Sequence, residues 1–415
     1  MSNSMNLSDS AEEPTQALVP KLRFPEFREA GEWVVRQFDD LFVVGNGRDY
    51  KHLEPGDVPV FGSGGYMLSV KDYLYDGESV CIGRKGTIDK PMFLTGRFWT
   101  VDTLYFTHSF AHCLPRFIFS VFQQIDWSSH NEAGGVPSLS KTNIQKIKTL
   151  VPSLPEQARI ADCLSSLDEL LAAQARKVEA LKTHKKGLME QLFPREGETQ
   201  PRLRFPEFRA TDAWKPTSFG ALGLDVSDGN YSAKYPSPAD FVAIGIPFLR
   251  ANNLRSGTVL DDDIRFISRE QNYQITKGHL KRGDILITTR GELGTIALVP
   301  DRHIGSNINA QIVRVNCGNK IATRFMFQAL DYARIVGSFD ALSTGTALKQ
   351  LPIGKLNQLE LRVPPKREEQ LRIADCLSSL DDLIAAETRT HEALKTHKKG
   401  LMQQLFPSPQ AVEQP

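Results

Sequence analysis

The sequence has few cysteines, no excess of either charge and no long apolar run. Its 415 residues include five cysteines, and no two of them form a Cys-x-x-Cys motif. This pattern excludes a disulfide-stapled scaffold and a zinc ribbon, and it indicates a reducing compartment. No stretch approaches the roughly 20 apolar residues that span a bilayer, and residues 1–20 are too polar for a signal peptide. We therefore expect a cytoplasmic protein without a membrane segment.

The charges are balanced, because 50 Lys and Arg residues accompany 49 Asp and Glu residues, for a net charge of +1. A polycation that binds nucleic acid through its total charge is therefore excluded. A local basic patch is not excluded, because the net charge says nothing about how the charges are distributed.

Catalytic motifs are also missing. The sequence contains no Gly-x-x-x-x-Gly-Lys-Ser/Thr phosphate loop and no Asn-Pro-Pro-aromatic motif of amino-methyltransferases. Asp49-Tyr50-Lys51 is a weak match to the acid-x-Lys pattern of nucleases. Gly62-Ser63-Gly64-Gly65 lacks the last glycine of a dinucleotide fingerprint, which favours a turn. We expect a binding protein with no catalytic residues, no metal and no cofactor of its own.

An internal repeat dominates the sequence. The run from Leu22 to Arg28 recurs from Leu203 to Arg209, an offset of 181 residues. Residues 159–194 recur as 372–407 at an offset of 213, and 29 of the 36 positions are identical. Each half of the chain thus has a constant start, a constant end and a middle without comparable identity. Two units are too few for a solenoid, and they predict a monomer with internal pseudo-twofold symmetry.

The repeat sets the predicted domain boundaries. We divide the chain into a disordered tail at 1–20, a first domain at 21–152, a long helix at 153–194, a linker at 195–202, a second domain at 203–363, a second long helix at 364–407 and a tail at 408–415. In both middles a short apolar strand leads into a tight turn that contains Arg and Gly, at 79–88 and at 283–294. The predicted fold class is α+β, with two globular mixed α/β domains joined by two long helices.

The constant ends predict helices with a coiled-coil stripe, because apolar residues alternate at spacings of four and three. The main seam residues are Ile160, Leu164, Leu167, Leu171, Leu181, Leu188 and Leu192 in the first helix, and Ile373, Leu377, Leu380, Ile384, Leu394, Leu401 and Leu405 in the second. Ser153 and Glu156 predict a capping box, and Pro194 and Pro407 end the helices. We expect the two stripes to pack against each other within the chain; a helical hairpin or a dimer zipper is the alternative.

Together these features resemble the specificity (S) subunit of Type I restriction–modification enzymes, over residues 20–407. The resemblance rests on the repeated Leu-Arg-Phe-Pro-Glu-Phe start, the near-duplicate helices, the Leu-Pro-Glu-Gln-x-x-Ile-Ala segment at 154–161, and the run that leads from 62–65 through 82–88 to 98–104. The second helix departs from the pattern, because Pro365-Lys366-Arg367-Glu368-Glu369-Gln370 replaces the Leu-Pro-Glu-Gln form.

The resemblance implies a division of labour. Two target-recognition domains each read one half of a bipartite, asymmetric sequence in double-stranded DNA. The two long helices pack as an antiparallel coiled coil and set the spacer between the half-sites. Two methyltransferase subunits dock on this frame and use S-adenosylmethionine, and two restriction subunits that need ATP and Mg can join them. The S subunit itself is not catalytic.

Base-reading residues are expected on loops of the variable middles, where Arg and Lys suit guanine and Asn and Gln suit adenine. In the first domain the candidates are Arg84 and Lys85, followed by Ser63, Tyr66, Lys71, His130 and Asn131. In the second domain they are Arg290, then Asn252, Asn253, Asn307, Asn309, Gln311, Thr344 and Lys349. The alternative for any one of them is a solvated or structural polar group.

Two other classes of protein remain as alternatives. The chain could be a coiled-coil assembly scaffold whose α/β domains bind protein, and a DNA selection with the reconstituted complex would then enrich no motif. It could also be a standalone nuclease, and metal-dependent cleavage by the purified chain would then be abolished by substitution of Asp49.

Overall fold

The computed structural model describes residues 18–229, 235–255, 257–345 and 349–407. The tail predicted at 408–415 and nearly all of the tail predicted at 1–20 lie outside these ranges. Within them, no helix combines the length and the apolar character that crossing a membrane requires.

The described residues form helices and strands of mostly modest length, apart from two long helices. The helices are α1 (Phe38–Leu41), α2 (Pro115–Phe122), α3 (Lys141–Lys146), α4 (Leu154–Leu192), α5 (Arg269–Gln274), α6 (Thr323–Ile335), α7 (Ser338–Leu342), α8 (Ile353–Leu356) and α9 (Arg367–Leu405). Short 3-10 turns lie at Pro25–Phe27, Trp127–His130, Pro206–Phe208, Phe219–Leu222, Pro238–Asp240, Ala251–Asn253 and Asp301–His303.

The strands fall into two groups that are separated by α4. The first group is β1 (Val34–Gln37), β2 (Val43–Asn46), β3 (Pro55–Gly62), β4 (Gly65–Val70), β5 (Tyr75–Asp76), β6 (Ser79–Gly83), β7 (Met92–Leu94), β8 (Arg97–Thr100), β9 (Leu104–His108) and β10 (Lys148–Val151). The second is β11 (Lys215–Ser218), β12 (Asp225–Asp228), β13 (Phe241–Val242), β14 (Ile246–Leu249), β15 (Leu254–Arg255), β16 (Thr258–Val259), β17 (Arg265–Ile267), β18 (Asp284–Thr288), β19 (Ile296–Leu298), β20 (Asn307–Ile308), β21 (Ile312–Asn316) and β22 (Glu360–Val363).

The chain divides into two compact units that do not follow its linear order. Unit 1 contains the residues up to Ala175 together with those from Arg389 onward, and unit 2 contains Arg176–Thr388. Each unit therefore holds one α/β domain, the first part of one long helix and the last part of the other. We call the α/β parts domain 1 and domain 2.

The two domains share the topology of one sheet although their sequences differ. Domain 1 has an antiparallel sheet in the order β2-β9-β6-β7, and domain 2 has one in the order β12-β21-β18-β19. Each domain has a second four-stranded sheet with one parallel pair, β3 with β8 and β14 with β20. The central strands β6 and β18 are buried along their whole length, which explains why both read as short apolar runs in the sequence.

In each unit the two long helices run antiparallel. In unit 1, Ile160 and Leu164 near the start of α4 share a buried cluster with Met402 and Leu405 near the end of α9. In unit 2, Met189 and Leu192 near the end of α4 share a cluster with Ile373 and Leu377 near the start of α9. Every predicted seam residue is buried or half-buried, as a stripe that faces another helix requires.

A lysine within each seam forms an ion pair across the helices. Lys398 Nζ lies 2.6 Å from an oxygen of Asp168 in unit 1, and Lys185 Nζ lies 2.7 Å from an oxygen of Asp381 in unit 2. Both lysines are 8 % exposed. A side chain of the adjoining domain also reaches each lysine, Gln123 at 3.1 Å and Asp331 at 3.3 Å. A charged residue at a core position favours one register, because other registers would leave its charge buried and unpaired.

The repeated start of each unit is anchored by a buried ion pair. Arg23 donates through Nε and Nη2 to the two carboxylate oxygens of Glu156, both at 2.7 Å. Trp33 Nε1 donates to the same carboxylate at 3.3 Å, and Glu156 is 1 % exposed. Glu156 thus binds the Leu-Arg-Phe-Pro-Glu-Phe segment, and the predicted capping box is replaced by this contact.

Unit 2 repeats this arrangement. Arg204 donates to both oxygens of Glu369 at 2.7 and 2.8 Å, and Trp214 Nε1 donates at 3.3 Å. Glu369 therefore occupies the place of Glu156 despite the different sequence before it. The different sequence at the start of α9 therefore keeps the glutamate that binds the repeated arginine.

The glutamine that follows each of these glutamates holds the domain to the helix. Gln157 Oε1 accepts the N–H of Leu114, the residue before α2, at 2.8 Å. Gln370 Oε1 accepts the N–H of Ala322, the residue before α6, at 2.9 Å. The Glu-Gln pair therefore binds the repeated start with one residue and a helix of the variable domain with the other.

We expect Glu156→Gln to lower the free energy of unfolding by about 3 kcal/mol, because the buried guanidinium of Arg23 loses its counter-charge. Glu369→Gln should act similarly in unit 2. Urea denaturation of the full chain measures both effects. Glu54→Gln is the matched control, because its ion pair with Lys71 is exposed on both sides and should contribute about 0.5 kcal/mol. Equal losses in the three variants would contradict the anchoring role.

Candidate nucleic-acid interface

Three segments of domain 1 meet at the end of β6. The Arg84 N–H donates to the Thr103 carbonyl at 2.8 Å, and the Arg84 carbonyl accepts the N–H of Leu139 at 2.9 Å. The Gly86 N–H donates to Pro137 at 2.9 Å. The loop that follows β6 is thus held by backbone hydrogen bonds on both sides, and its side chains are left to face outward.

Domain 2 builds the same arrangement at the end of β18. The Thr289 N–H donates to Gln311 at 2.8 Å, and its carbonyl accepts the N–H of Leu351 at 3.0 Å. Arg290 bridges to Gln350 as Lys85 bridges to Ser138. The structural counterpart of Arg290 is therefore Lys85, and Arg84 corresponds to Thr289.

A glycine with positive φ follows the basic residue in both loops. Gly86 has a φ of +91° and Gly291 has a φ of +77°. An L-residue in this region places Cβ close to its own backbone. The sequence shows the Arg-Gly and Lys-Gly pairs, and the backbone explains why glycine is needed after the basic residue.

The structure brings Ser63, Tyr66 and the Arg84 loop together. Ser63 and Tyr66 line an open cleft of about 660 Å³. The Arg84 guanidinium donates to the carbonyl of Asp102, another cleft residue, at 3.4 Å. Lys85 is exposed, and the Ser63 hydroxyl would lie 3.3 Å from a Cβ atom at position 86.

The other candidates of domain 1 lie outside this cleft. Lys71 forms an exposed ion pair with Glu54 at 3.3 Å. His130 and Asn131 line a separate depression of about 370 Å³. The Asn131 carboxamide oxygen accepts the N–H of Ser138 at 2.9 Å, so this side chain shapes the loop that contacts Lys85.

Four candidates of domain 2 share one loop cluster. Arg290 is half-buried, and Gln311, Thr344 and Lys349 are exposed. Thr344 forms two backbone hydrogen bonds with Gln350, the residue that bridges to Arg290. Lys349 Nζ lies 2.8 Å from an oxygen of Asp340. These side chains stand where domain 1 presents Lys85 and Thr103.

The structure corrects the role expected for three asparagines of domain 2. Asn253 and Asn307 are fully buried, and Asn309 is 5 % exposed. Their carboxamide oxygens accept backbone N–H groups, from Arg250 to Asn253 at 2.9 Å, from Ile308 to Asn307 at 2.8 Å and from Gln311 to Asn309 at 3.1 Å. These side chains stabilise turns, as asparagine often does in loops. They are buried and present no edge to a base. Asn252 remains exposed.

Several side chains of the cleft in domain 1 are not among the residues predicted from the sequence. Asp49, Lys51, Met67 and Asp102 line it together with Ser63 and Tyr66. In the sequence, Asp49 and Lys51 match only a weak nuclease motif. Their separation in sequence from residues 63–67 hides the shared site, and the only signal in the sequence is the group of turn glycines that precedes Tyr66 and Met67.

Other reactive groups in the described ranges do not form a site. Burial raises the pKa of the Cys81 thiol to about 12, so this cysteine carries no thiolate near neutral pH. No three metal-ligating side chains lie together in the part of the chain that the structure describes. The groups left for ligand contact at the β6 and β18 ends are cationic, hydroxyl, amide and carboxylate side chains, which suit hydrogen bonding to base edges and phosphates.

Comparison with known proteins identifies the family. The profile of the family described as "Type I restriction modification DNA specificity domain" matches residues 30–183 and again 233–396. The chain belongs to this family. The double match covers most of the chain and follows the internal repeat.

Relatives of the family agree with this assignment. The specificity subunit of the Type I restriction enzyme MjaVIII from Methanocaldococcus jannaschii is 25% identical over 344 residues, which are 80% of this chain and 77% of that protein. The crystal structure of the S subunit of the Type I system of M. genitalium has the same fold, with a TM-score of 0.62 at 15% identity over 94% of this chain and 99% of that one. A second solved structure, from work on complex assembly and conformational transition of the Type I system, gives a TM-score of 0.52 at 14% identity over 91% and 98% of the two chains.

We expect Gly86→Ala in this specificity-family chain to lower the free energy of unfolding by about 1–2 kcal/mol, because alanine is strained at its positive φ. Gly31→Ala is the control, since no atom lies within 4 Å of a Cβ there and its φ is not positive. That change should be neutral or slightly stabilising. Urea denaturation compares the two, and a Gly86→Ala variant as stable as Gly31→Ala would contradict the conformation of the loop.

Proposed function

We propose that this Type I specificity subunit reads a bipartite sequence in double-stranded DNA, with each domain reading one half. The observation that carries the proposal is the pair of equivalent loop sites on one topology. Backbone hydrogen bonds hold both sites alike, whereas the side chains differ, as between Lys85 and Arg290 or Thr103 and Gln311. Two domains that read different bases need a common scaffold with different side chains at its surface.

The charges of the chain support local contacts. The net charge of +1 gives no general attraction to DNA, so affinity has to come from basic side chains placed at the sites. Lys85 and Arg290 each stand beside a glycine, where the backbone can approach a phosphate or a base edge closely. Arg84 adds a second cation in domain 1.

We further propose that the long helices set the spacer between the half-sites and dock two methyltransferase subunits, with two restriction subunits as optional partners. Support comes from the helices themselves, since α4 and α9 each contribute to both units and each domain is anchored by a buried ion pair at a helix start. In this proposal the chain is cytoplasmic and non-catalytic. S-adenosylmethionine, ATP and Mg belong to the partner subunits. An assembly scaffold that does not read DNA is not favoured by the family.

Lys85→Ala should relax or weaken the reading of one half-site and leave the bases of the other unchanged. Arg290→Ala should do the reverse, with a loss of about tenfold at its own half-site, because each side chain contacts only the DNA beside its own domain. Adenine methylation by the complex with its methyltransferase subunits, read by single-molecule sequencing, measures the motif in each variant.

Lys148→Ala is the control for these variants, because Lys148 is an exposed lysine of domain 1 on β10, outside the loop site. Its motif should equal that of the unchanged chain. If Lys85→Ala alters both half-sites alike, the assignment of one domain to one half-site is wrong. If the unchanged complex shows no motif at all, the proposed function is wrong.

A seven-residue insertion after Ala175, combined with one after Thr388, should change the spacer and leave the half-site bases unchanged. Seven residues add about 10.5 Å to each helix and keep the heptad stripe continuous, and this length corresponds to about three base pairs. Four-residue insertions at the same points should be more damaging, because they break the seven-residue period. The methylated motif gives the spacer, and an unchanged gap in the seven-residue variant would refute the role of the helices.

A further inference from the structure

The cleft of domain 1 has one apolar wall. The hairpin of β3 and β4 presents Tyr66 and Met67, which are 63 % and 48 % exposed, and both line the cleft together with the buried Val101. Single exposed apolar residues are common on proteins. These two are adjacent, they lie in a concave site, and the site adjoins the loop of Arg84.

Both side chains are held in place although they face solvent. The sulfur of Met67 lies against Gly62, where a Cβ atom would come within 2.9 Å of it. The Tyr66 ring packs edge-on against Phe61 with centroids 6.1 Å apart, and its hydroxyl lies 3.1 Å from Ser69 Oγ. An exposed apolar surface that is already ordered loses little conformational freedom when a ligand covers it.

Domain 2 has a charged residue at the position of Gly62, the glycine against which Met67 packs. The Val101 N–H donates to Phe61 at 2.9 Å, and the Asn309 N–H donates to Leu249 at 2.8 Å. Leu249 therefore corresponds to Phe61, and Arg250 stands at the position of Gly62. Arg250 Nη2 lies 2.7 Å from an oxygen of Asp263. The small residue against which Met67 packs in domain 1 is thus replaced by a large charged residue in domain 2.

The cleft suits a ligand that presents an apolar group to this wall and a hydrogen-bond acceptor to the donors on its polar side, where the carboxylates of Asp49 and Asp102 also lie. The polar side of the same cleft offers donors in Ser63 and Lys51. In the major groove, thymine alone carries a methyl group, and its O4 acceptor lies beside that methyl. The edges of the other three bases lack the apolar group.

We propose that Met67, supported by Tyr66, contacts the 5-methyl group of a thymine in the half-site of domain 1, while Ser63 donates to O4 of the same base. Met67 is then a specificity-determining residue. This inference rests on the proposed function, since it requires that domain 1 reads DNA.

The test removes the methyl group from the DNA and the side chain from the protein. The complex with its methyltransferase subunits is mixed, at one fixed salt concentration, with duplexes that carry its methylated motif. Each thymine of the domain 1 half-site, identified from the Lys85→Ala variant, is replaced in turn by deoxyuridine. At one position we expect the dissociation constant to rise about fourfold with the unchanged chain, because one buried methyl group is lost. With Met67→Ala the same replacement should change the constant less than about twofold, because the methyl group has lost its partner.

Val43→Ala is the matched control, because Val43 is an exposed apolar residue of domain 1 on β2 and should keep the full difference between thymine and deoxyuridine. Melting temperatures of all variants verify that they fold. The inference is overturned if no replacement weakens binding, if Met67→Ala retains the whole difference, or if the half-site of domain 1 contains no thymine on either strand. A complex that binds a duplex without the motif as tightly as the motif duplex would instead overturn the proposed function.

Discussion

The bidentate ion pair between a repeated arginine and the glutamate at a helix start is the contact on which the rest of the structure depends. Arg23 with Glu156 and Arg204 with Glu369 are buried in their units. Moving a charged pair out of water is costly, so such a pair is tolerated only where its geometry is complete. An arginine that missed its glutamate would leave two buried charges without partners. Each domain can therefore pack favourably at only one position on its helix.

Other polar residues near this pair also fix the position of each domain on its helix. The neighbouring Gln157 and Gln370 bind the residues before α2 and α6. Lys398 and Lys185 cross the helix seam to Asp168 and Asp381 and also meet a side chain of the adjoining domain. The attachment of domain to helix is thus specified by hydrogen bonds and ion pairs, while apolar burial supplies the bulk of the packing.

Much of the frame could be predicted from the sequence, because helix periodicity and repeat identity are local signals. The stripe from Ile160 to Leu192 and its copy required only spacing. The partner of Glu156 could not be predicted from spacing, since Arg23 lies 133 residues away in the sequence and a local capping box was the simpler explanation. The repeat did hold a clue, because Glu369 and Arg204 keep the offsets of 213 and 181.

The loop sites were predictable only in part. Arg290 and Lys85 stand out because a glycine follows a basic residue after an apolar strand. The role of the asparagines at 253, 307 and 309 could not be predicted from the sequence, because a carboxamide can bind adenine or backbone groups, and burial decides between these uses. For Met67 the only signal was the group of turn glycines before it, since the cleft is built from three separate segments.

The hydrogen bonds that hold the loops after β6 and β18 use backbone atoms. The hydrogen bonds of Arg84 with Thr103 and Leu139, and of Thr289 with Gln311 and Leu351, survive whatever side chains those positions carry. Surface side chains can therefore be substituted while the loops keep their conformation. The glycine after the basic residue tolerates substitution least, because its φ is positive. A lineage of such chains can acquire new sequence preferences one side chain at a time while the fold stays the same.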